Sequence, residues 1–114
     1  MACLQPDVLH AYHAFKSGVV AAAALDLMDP ARRPALVVSL SGTDINRDLD
    51  DPDRTTAVTS VLQRAEGLAA TSASILRVLE SHHPRLAART RVIPKGVGLP
   101  TGRPDRAAFR TRYQ

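Results

Sequence analysis

Short apolar runs separated by longer amphipathic stretches set the pattern of this chain. Leu36-Val37-Val38-Ser39-Leu40 is too short for a typical helix and rich in β-branched residues. Arg32-Arg33-Pro34 precedes it, and Ser41-Gly42-Thr43-Asp44 follows with turn chemistry. Apolar on both faces, the run predicts a buried strand of a parallel sheet. Asp7 to Ala11, opened by Pro6, predicts an earlier strand. Leu68 to Thr71 and Arg91 to Pro94 predict two later ones, the last closed by a turn at Lys95-Gly96.

Helical periodicity fills each gap. Val19, Val20, Ala23, Ala24 and Leu27 form a stripe on a helix from Lys16 to Met28. Asp29-Pro30 ends it, because the residue before proline avoids helical angles. Val58, Val61, Leu62 and Ala65 mark a second helix over 54–64, introduced by Pro52 and stopped by Gly67. Ile75, Val78 and Leu79 mark a third, capped by Thr71, Ser72 or Ser74. His82 and His83 fall in its last turn, before Pro84. Asp44 to Asp53 reads as a polar surface loop with room for one helical turn. The order β-α-β-α-β-α-β implies right-handed crossovers and a parallel sheet. The expected fold is α/β: a Rossmann-like three-layer unit with about four parallel strands.

With 114 residues there is room for one small domain. We place it at 1–99. From Pro100 onward proline, glycine and arginine dominate, which predicts a linker and then a short basic helix from about Pro104. The net charge of +4 raises the question of an anionic partner. Yet the arginines are scattered except in the tail, and aromatic residues make up only 4%, so stacking platforms for nucleic acid are scarce. No apolar stretch approaches a membrane span, and the first residues lack the pattern of a signal peptide. The single cysteine, Cys3, excludes an internal disulfide and suits a reducing, cytoplasmic setting.

Candidate chemistry gathers after the strands. In open α/β sheets, ligands bind beyond the carboxyl ends. Gly42 permits positive φ and close approach of a ligand, or simply makes the turn. Thr43 and Asp44 suit sugar hydroxyls, and Asp44 equally suits a cap on Ile45-Asn46-Arg47. His10, inside the first strand, reads as a core histidine. His13 falls where that strand ends, on the same edge as Gly42, and suits a proton acceptor or hydroxyl partner. His10 and His13 lack a third ligand, so no metal is expected. Lys16-Ser17-Gly18 lacks the glycines of a phosphate loop. Ser41 lacks a nucleophile-elbow motif. Asp48 to Asp53 lacks the glycine and terminal glutamate of a calcium loop and reads as a solvated face.

Four blocks then carry a resemblance. They are Asp7-Val8-Leu9-His10-Ala11, Pro34 to Asp44, Ala65 to Ser72, and Val92-Ile93-Pro94-Lys95-Gly96-Val97. In order and spacing they resemble "DVVHAH", "P.VVTLHGTD", "AD.VVATS" and "VIPNGVD" of the amino-terminal domain of GT-B glycosyltransferases, family 4 type. Ser41 stands where that family often has histidine, and Lys95 where it has asparagine. The resemblance implies an acceptor-side domain of an enzyme that moves a sugar from a nucleotide-activated donor to an acceptor hydroxyl. It implies no cofactor beyond the nucleotide sugar, and acceptor positioning by Gly42, Thr43, Asp44 and His13. The family's early strands are not found before Asp7. Its donor domain, with paired glutamates, has no counterpart in Glu66 and Glu80. The resemblance therefore implies part of one domain, inactive alone, with Pro104 to Tyr113 as the start of a second. The competing expectation is a non-catalytic α/β module that binds a complementary chain or a second copy through its open sheet edge.

Overall fold

The computed structural model describes residues 5–96 and residue 111. Strands β1 (Val8–Tyr12), β2 (Ala35–Leu40), β3 (Gly67–Ala70) and β4 (Thr90–Val92) form one sheet in the order β1-β2-β3-β4. Every neighbouring pair is parallel, as the alternation of elements predicts. Helix α1 (Val19–Asp26), preceded by a π-helical turn Ala14–Gly18, carries the chain from β1 to β2. Helices α2 (Thr43–Asn46) and α3 (Thr55–Arg64) join β2 to β3. Helices α4 (Ala73–His82) and α5 (Pro84–Ala88) join β3 to β4.

One face of the sheet is packed. Register puts Leu9, Leu36 and Ala11, Val38 side by side, then Val38, Leu68 and Leu40, Ala70. These residues form a single apolar cluster with Leu25, Val58, Val61, Leu62, Ile75 and Leu79 of the helices. The opposite face is open. Val8 is 52% exposed and Tyr12 59%, and Val37 and Ala69 are only half-buried. Topology explains the asymmetry: consecutive crossovers of one hand, stepping always to the next strand, set every helix on the same side. The third layer expected of this unit is therefore not among the described residues.

Several local features differ from the expectation, each for a physical reason. The first helix begins two residues early, as a π turn that the phosphate-loop and Lys16 readings did not foresee. Gly67 does not stop α3; it opens β3, where a Cβ would lie 3.3 Å from Val37 Cγ2. Pro84 does not end the helical segment; it occupies the first turn of α5, where its missing N–H costs nothing. Ser72 is the cap of α4, accepting from Ile75 N. Asp48 is not part of a solvated face: it is buried, with Arg54 at 2.9 Å. Arg64 grips Asp26 with two bonds of 2.8 and 3.0 Å, tying the end of α3 to the end of α1. The linker and basic helix expected from residue 100 lie outside the described residues, apart from Thr111, which is helical.

Candidate functional site

The carboxyl ends of β1 and β2 are held together by one carboxylate. Asp44 is fully buried. Its Oδ1 accepts from Ser41 N at 3.0 Å and Gly42 N at 2.9 Å. Its Oδ2 accepts from Ala14 N at 2.9 Å, across thirty positions of sequence. Backbone amides are the right partners here, because a buried carboxylate needs donors and these amides lack any other acceptor. His13 N donates to Ser39 O at 2.9 Å and extends the pairing of β1 with β2 by one residue. The result is a rim on which the loop after β1 and the loop after β2 sit side by side.

The backbone of this rim is unusual at two places. Gly42 has φ +121°, a conformation that L side chains rarely adopt, and it starts the single turn α2. Its carbonyl accepts from Asn46 N at 2.7 Å. His13 has φ 88° despite its side chain. Such a residue stores about 1–3 kcal/mol of strain and persists only where its surroundings hold it. The π turn is what holds it. Nδ1 of His13 accepts from Lys16 N at 3.2 Å, and its carbonyl accepts from Gly18 N at 3.0 Å. With Nδ1 accepting, the neutral ring carries its proton on Nε2. Nε2 is buried without a hydrogen-bond partner, and Asp48 Oδ2 lies 3.8 Å from it.

Asp48 in turn bonds Arg54, which also reaches Asp51 at 3.3 Å and stacks 5.0 Å over the Phe15 ring. This chain of charges backs the rim from beneath. Sequence reading missed it because four aspartates in the six residues Asp48 to Asp53 look like a hydrated loop; the signal was Arg54, which directly follows them.

The structure thus brings His13, Gly42, Thr43 and Asp44 to one place and divides their work. Asp44 points inward, and of the His13 ring nitrogens Nδ1 is occupied by Lys16 N while Nε2 is buried. Thr43 is exposed, and so are Ser41, Asn46 and Arg47, three neighbours that sequence reading did not single out. The open chemistry of the rim is therefore hydroxyls, one amide and one guanidinium, set around a glycine backbone.

A hollow of about 260 Å³ adjoins the rim on the open face of the sheet. His10, Tyr12, Ser39, Thr71 and Lys95 supply its polar lining. His10 Nε2 and Ser39 Oγ are 2.8 Å apart, and the Tyr12 ring lies 4.4 Å from the His10 ring. His10 is thus exposed on the open face rather than in the core, though its ring is partnered as expected. A larger hollow, about 630 Å³, lies among α3, α4 and α5 beside His83, Leu86 and Arg89. Arg89 there donates to the last carbonyls of α3, at the amino edge of the sheet, away from the rim. Among the described residues no group of three His, Cys, Asp or Glu side chains could hold a metal ion, and no helix is long and apolar enough to cross a membrane.

Comparison with known proteins agrees with the geometry. No curated protein matches the chain. The family model described as Glycosyltransferase Family 4 matches residues 1–99, which is most of the chain and all four strands. A parallel Rossmann-like sheet with its glycine turn at the carboxyl rim, matched over that length, makes this chain a member of glycosyltransferase family 4.

Proposed function

We propose that this chain forms the acceptor side of a sugar-transfer site. In the reaction, the bond from the sugar's anomeric carbon to a nucleoside diphosphate breaks and a bond to an acceptor hydroxyl oxygen forms. The acceptor's hydroxyl proton leaves and the diphosphate departs as the free anion. The observation that carries this reading is the Asp44 carboxylate, which gathers the amides of Ala14, Ser41 and Gly42 and so fixes one rim from two loops. A buried residue whose only partners are loop amides is a positioning residue. What it positions is an exposed row of polar groups: Ser41 and Thr43 hydroxyls beside the bare backbone of Gly42.

Hydroxyls and amides exchange hydrogen bonds with sugar hydroxyls without charge, and the glycine lets the ring approach the backbone. His13 belongs to the support. One ring nitrogen taken by Lys16 N and the other buried argue against a base and for a strut that sets the height of the β1 loop. The acceptor proton is then taken by a group outside the described residues or by the departing diphosphate. The donor nucleotide is held by a partner domain rather than by this sheet, and the setting is cytoplasmic.

The test is an NMR titration of the 15N-labelled chain with methyl glucosides and methyl mannosides. Shifts at Ser41, Gly42 and Thr43 that vanish in Thr43→Val support the reading. Shifts confined to α4 and α5, or none at saturating sugar, overturn it.

A further inference from the structure

The loop after β1 turns on a histidine held at φ 88°, an angle that L side chains rarely adopt. Its ring and its carbonyl hold it there, and the ring contact depends on charge. Nδ1 accepts from Lys16 N at 3.2 Å, which only a ring unprotonated at that nitrogen can do. An imidazolium carries N–H at both positions, so its Nδ1–H would face the Lys16 N–H, donor against donor.

The other ring nitrogen has the opposite interest. Nε2 is buried without a hydrogen-bond partner, 3.8 Å from Asp48 Oδ2. That is too long for a bond and short enough for strong attraction by a charge. Asp48 is buried, and Arg54 bonds its other oxygen at 2.9 Å. Arg54 also reaches Asp51 at 3.3 Å. Asp44, the carboxylate of α2, is taken up by the amides of Ala14, Ser41 and Gly42. The Lys16 side chain is exposed. Strand β2 meets the histidine through a backbone carbonyl, Ser39 O, which accepts from His13 N.

We infer that His13 is a proton-operated latch for the rim. Histidine changes charge between about pH 5 and 8. With the ring neutral, Lys16 N is capped, the π turn Ala14–Gly18 is closed, and Ala14 N stands against Asp44. A proton taken up at Nδ1 removes the cap. Nε2–H then draws toward Asp48 Oδ2, on the side that Arg54 leaves open. Three effects favour this release. Lys16 N is exposed and rehydrates. The new ion pair forms where water is excluded, which strengthens it. The strained backbone at His13 relaxes. Ala14 follows His13 directly, so a shift of the loop loosens the Ala14 N–H from Asp44 and parts the two loops. On the acceptor reading above, acid therefore weakens sugar binding; that consequence rests on the reading, and the latch itself does not.

The test follows ring and turn by NMR from about pH 8 to about pH 5. Long-range proton–nitrogen spectra read the two His13 nitrogens, and amide spectra read Ala14, Lys16 and Gly18. The expected result is a proton on Nε2 alone at the upper value. One transition then protonates Nδ1, and the three amides shift with it. His13→Asn tolerates positive φ and keeps an oxygen to cap Lys16 N, with no charge to change. In that variant the three amides hold still, although the other histidines remain. Asp48→Asn moves the transition to lower pH, because the attracting anion is gone. A ring that titrates while the turn amides stay fixed overturns the inference. So do amide shifts that survive in His13→Asn, or a ring still neutral at about pH 5. Methyl glucoside titrations at both ends of the range separate the two readings. Rim shifts that need more sugar at the lower pH support the latch, and equal affinity at both overturns it as a control of the rim. Absence of sugar shifts at both overturns the acceptor reading alone, and the ring and turn amides still decide the latch.

Discussion

Replacing Asp44 tests the account at its most loaded contact. In Asp44→Ala three amides lose their acceptor at once. Ala14 is fully buried, so its N–H finds no water and costs about 1–3 kcal/mol as an unsatisfied donor. Ser41 and Gly42 are open enough for their amides to rehydrate, losing about 0.5–1.5 kcal/mol each. Removing a buried carboxylate returns part of its desolvation cost. The balance is a loss of about 3 kcal/mol, a large share of a typical domain's 5–15. Asp44→Asn keeps the volume and one oxygen. The amide nitrogen must then face one of the donors, most easily Ala14 N, for a loss of about 2 kcal/mol. The assay is urea unfolding at fixed temperature, with the slope unchanged and the midpoint shifted. A loss under about 1 kcal/mol for Asp44→Ala would refute the reasoning, because the buried Ala14 donor alone should exceed it.

Other changes separate the remaining contributions. Gly42→Ala meets no closer atom than 3.9 Å, so its cost is the backbone strain alone, about 1–3 kcal/mol by the same unfolding assay. Leu40→Ala, fully buried at the carboxyl end of β2, costs about 2–5 kcal/mol, measured as a drop in melting temperature or urea midpoint. Ser72→Ala removes the cap of α4 and costs about 1 kcal/mol in stability. The Arg64 guanidinium bonded to Asp26 holds that carboxyl below the usual carboxylate range. A lowered folded-state value adds stability above the ordinary range and loses it as pH falls through the folded value. Asp26→Asn is therefore less stable than the parent at pH 7 in low salt, and equal to it in strong acid or about 1 M salt, as thermal melts at each condition will read.

Much of this architecture was legible in the sequence because its signals are local. Leu36 to Leu40 is apolar, short and flanked by turn residues, and only a strand fits. The stripes of α3 and α4 follow helical spacing, and Ser72 caps where a serine should. What escaped depends on contacts across the fold. The π turn exists because His13 takes a positive φ and catches Lys16 N, which nothing in Ala14 to Gly18 announces. Pro84 stops one helix and starts another with equal sequence logic, and only packing of Leu86 and Ala87 decides. Asp48 looks hydrated until Arg54 folds over it. The apolar residues on both faces of β2 suggested two covering layers. The described residues supply one, which leaves Val37 half-buried and Tyr12 exposed. At the candidate site the cluster of Gly42, Thr43 and Asp44 was visible. Its division of labour was not, because an aspartate that binds a ligand and one that binds amides are the same letter. Ser41, Asn46 and Arg47 needed the turn geometry of α2 before they could be seen as exposed neighbours.

The central claim is that one carboxylate makes two loops into a single rim, and amide hydrogen exchange measures it most directly. The account predicts that Ala14, Ser41 and Gly42 are protected together in the parent chain and lose protection together in Asp44→Ala, while Leu36 and Val38 in the sheet keep theirs. Exchange at Ala14 that is fast in the parent, or unchanged by the substitution, would contradict it.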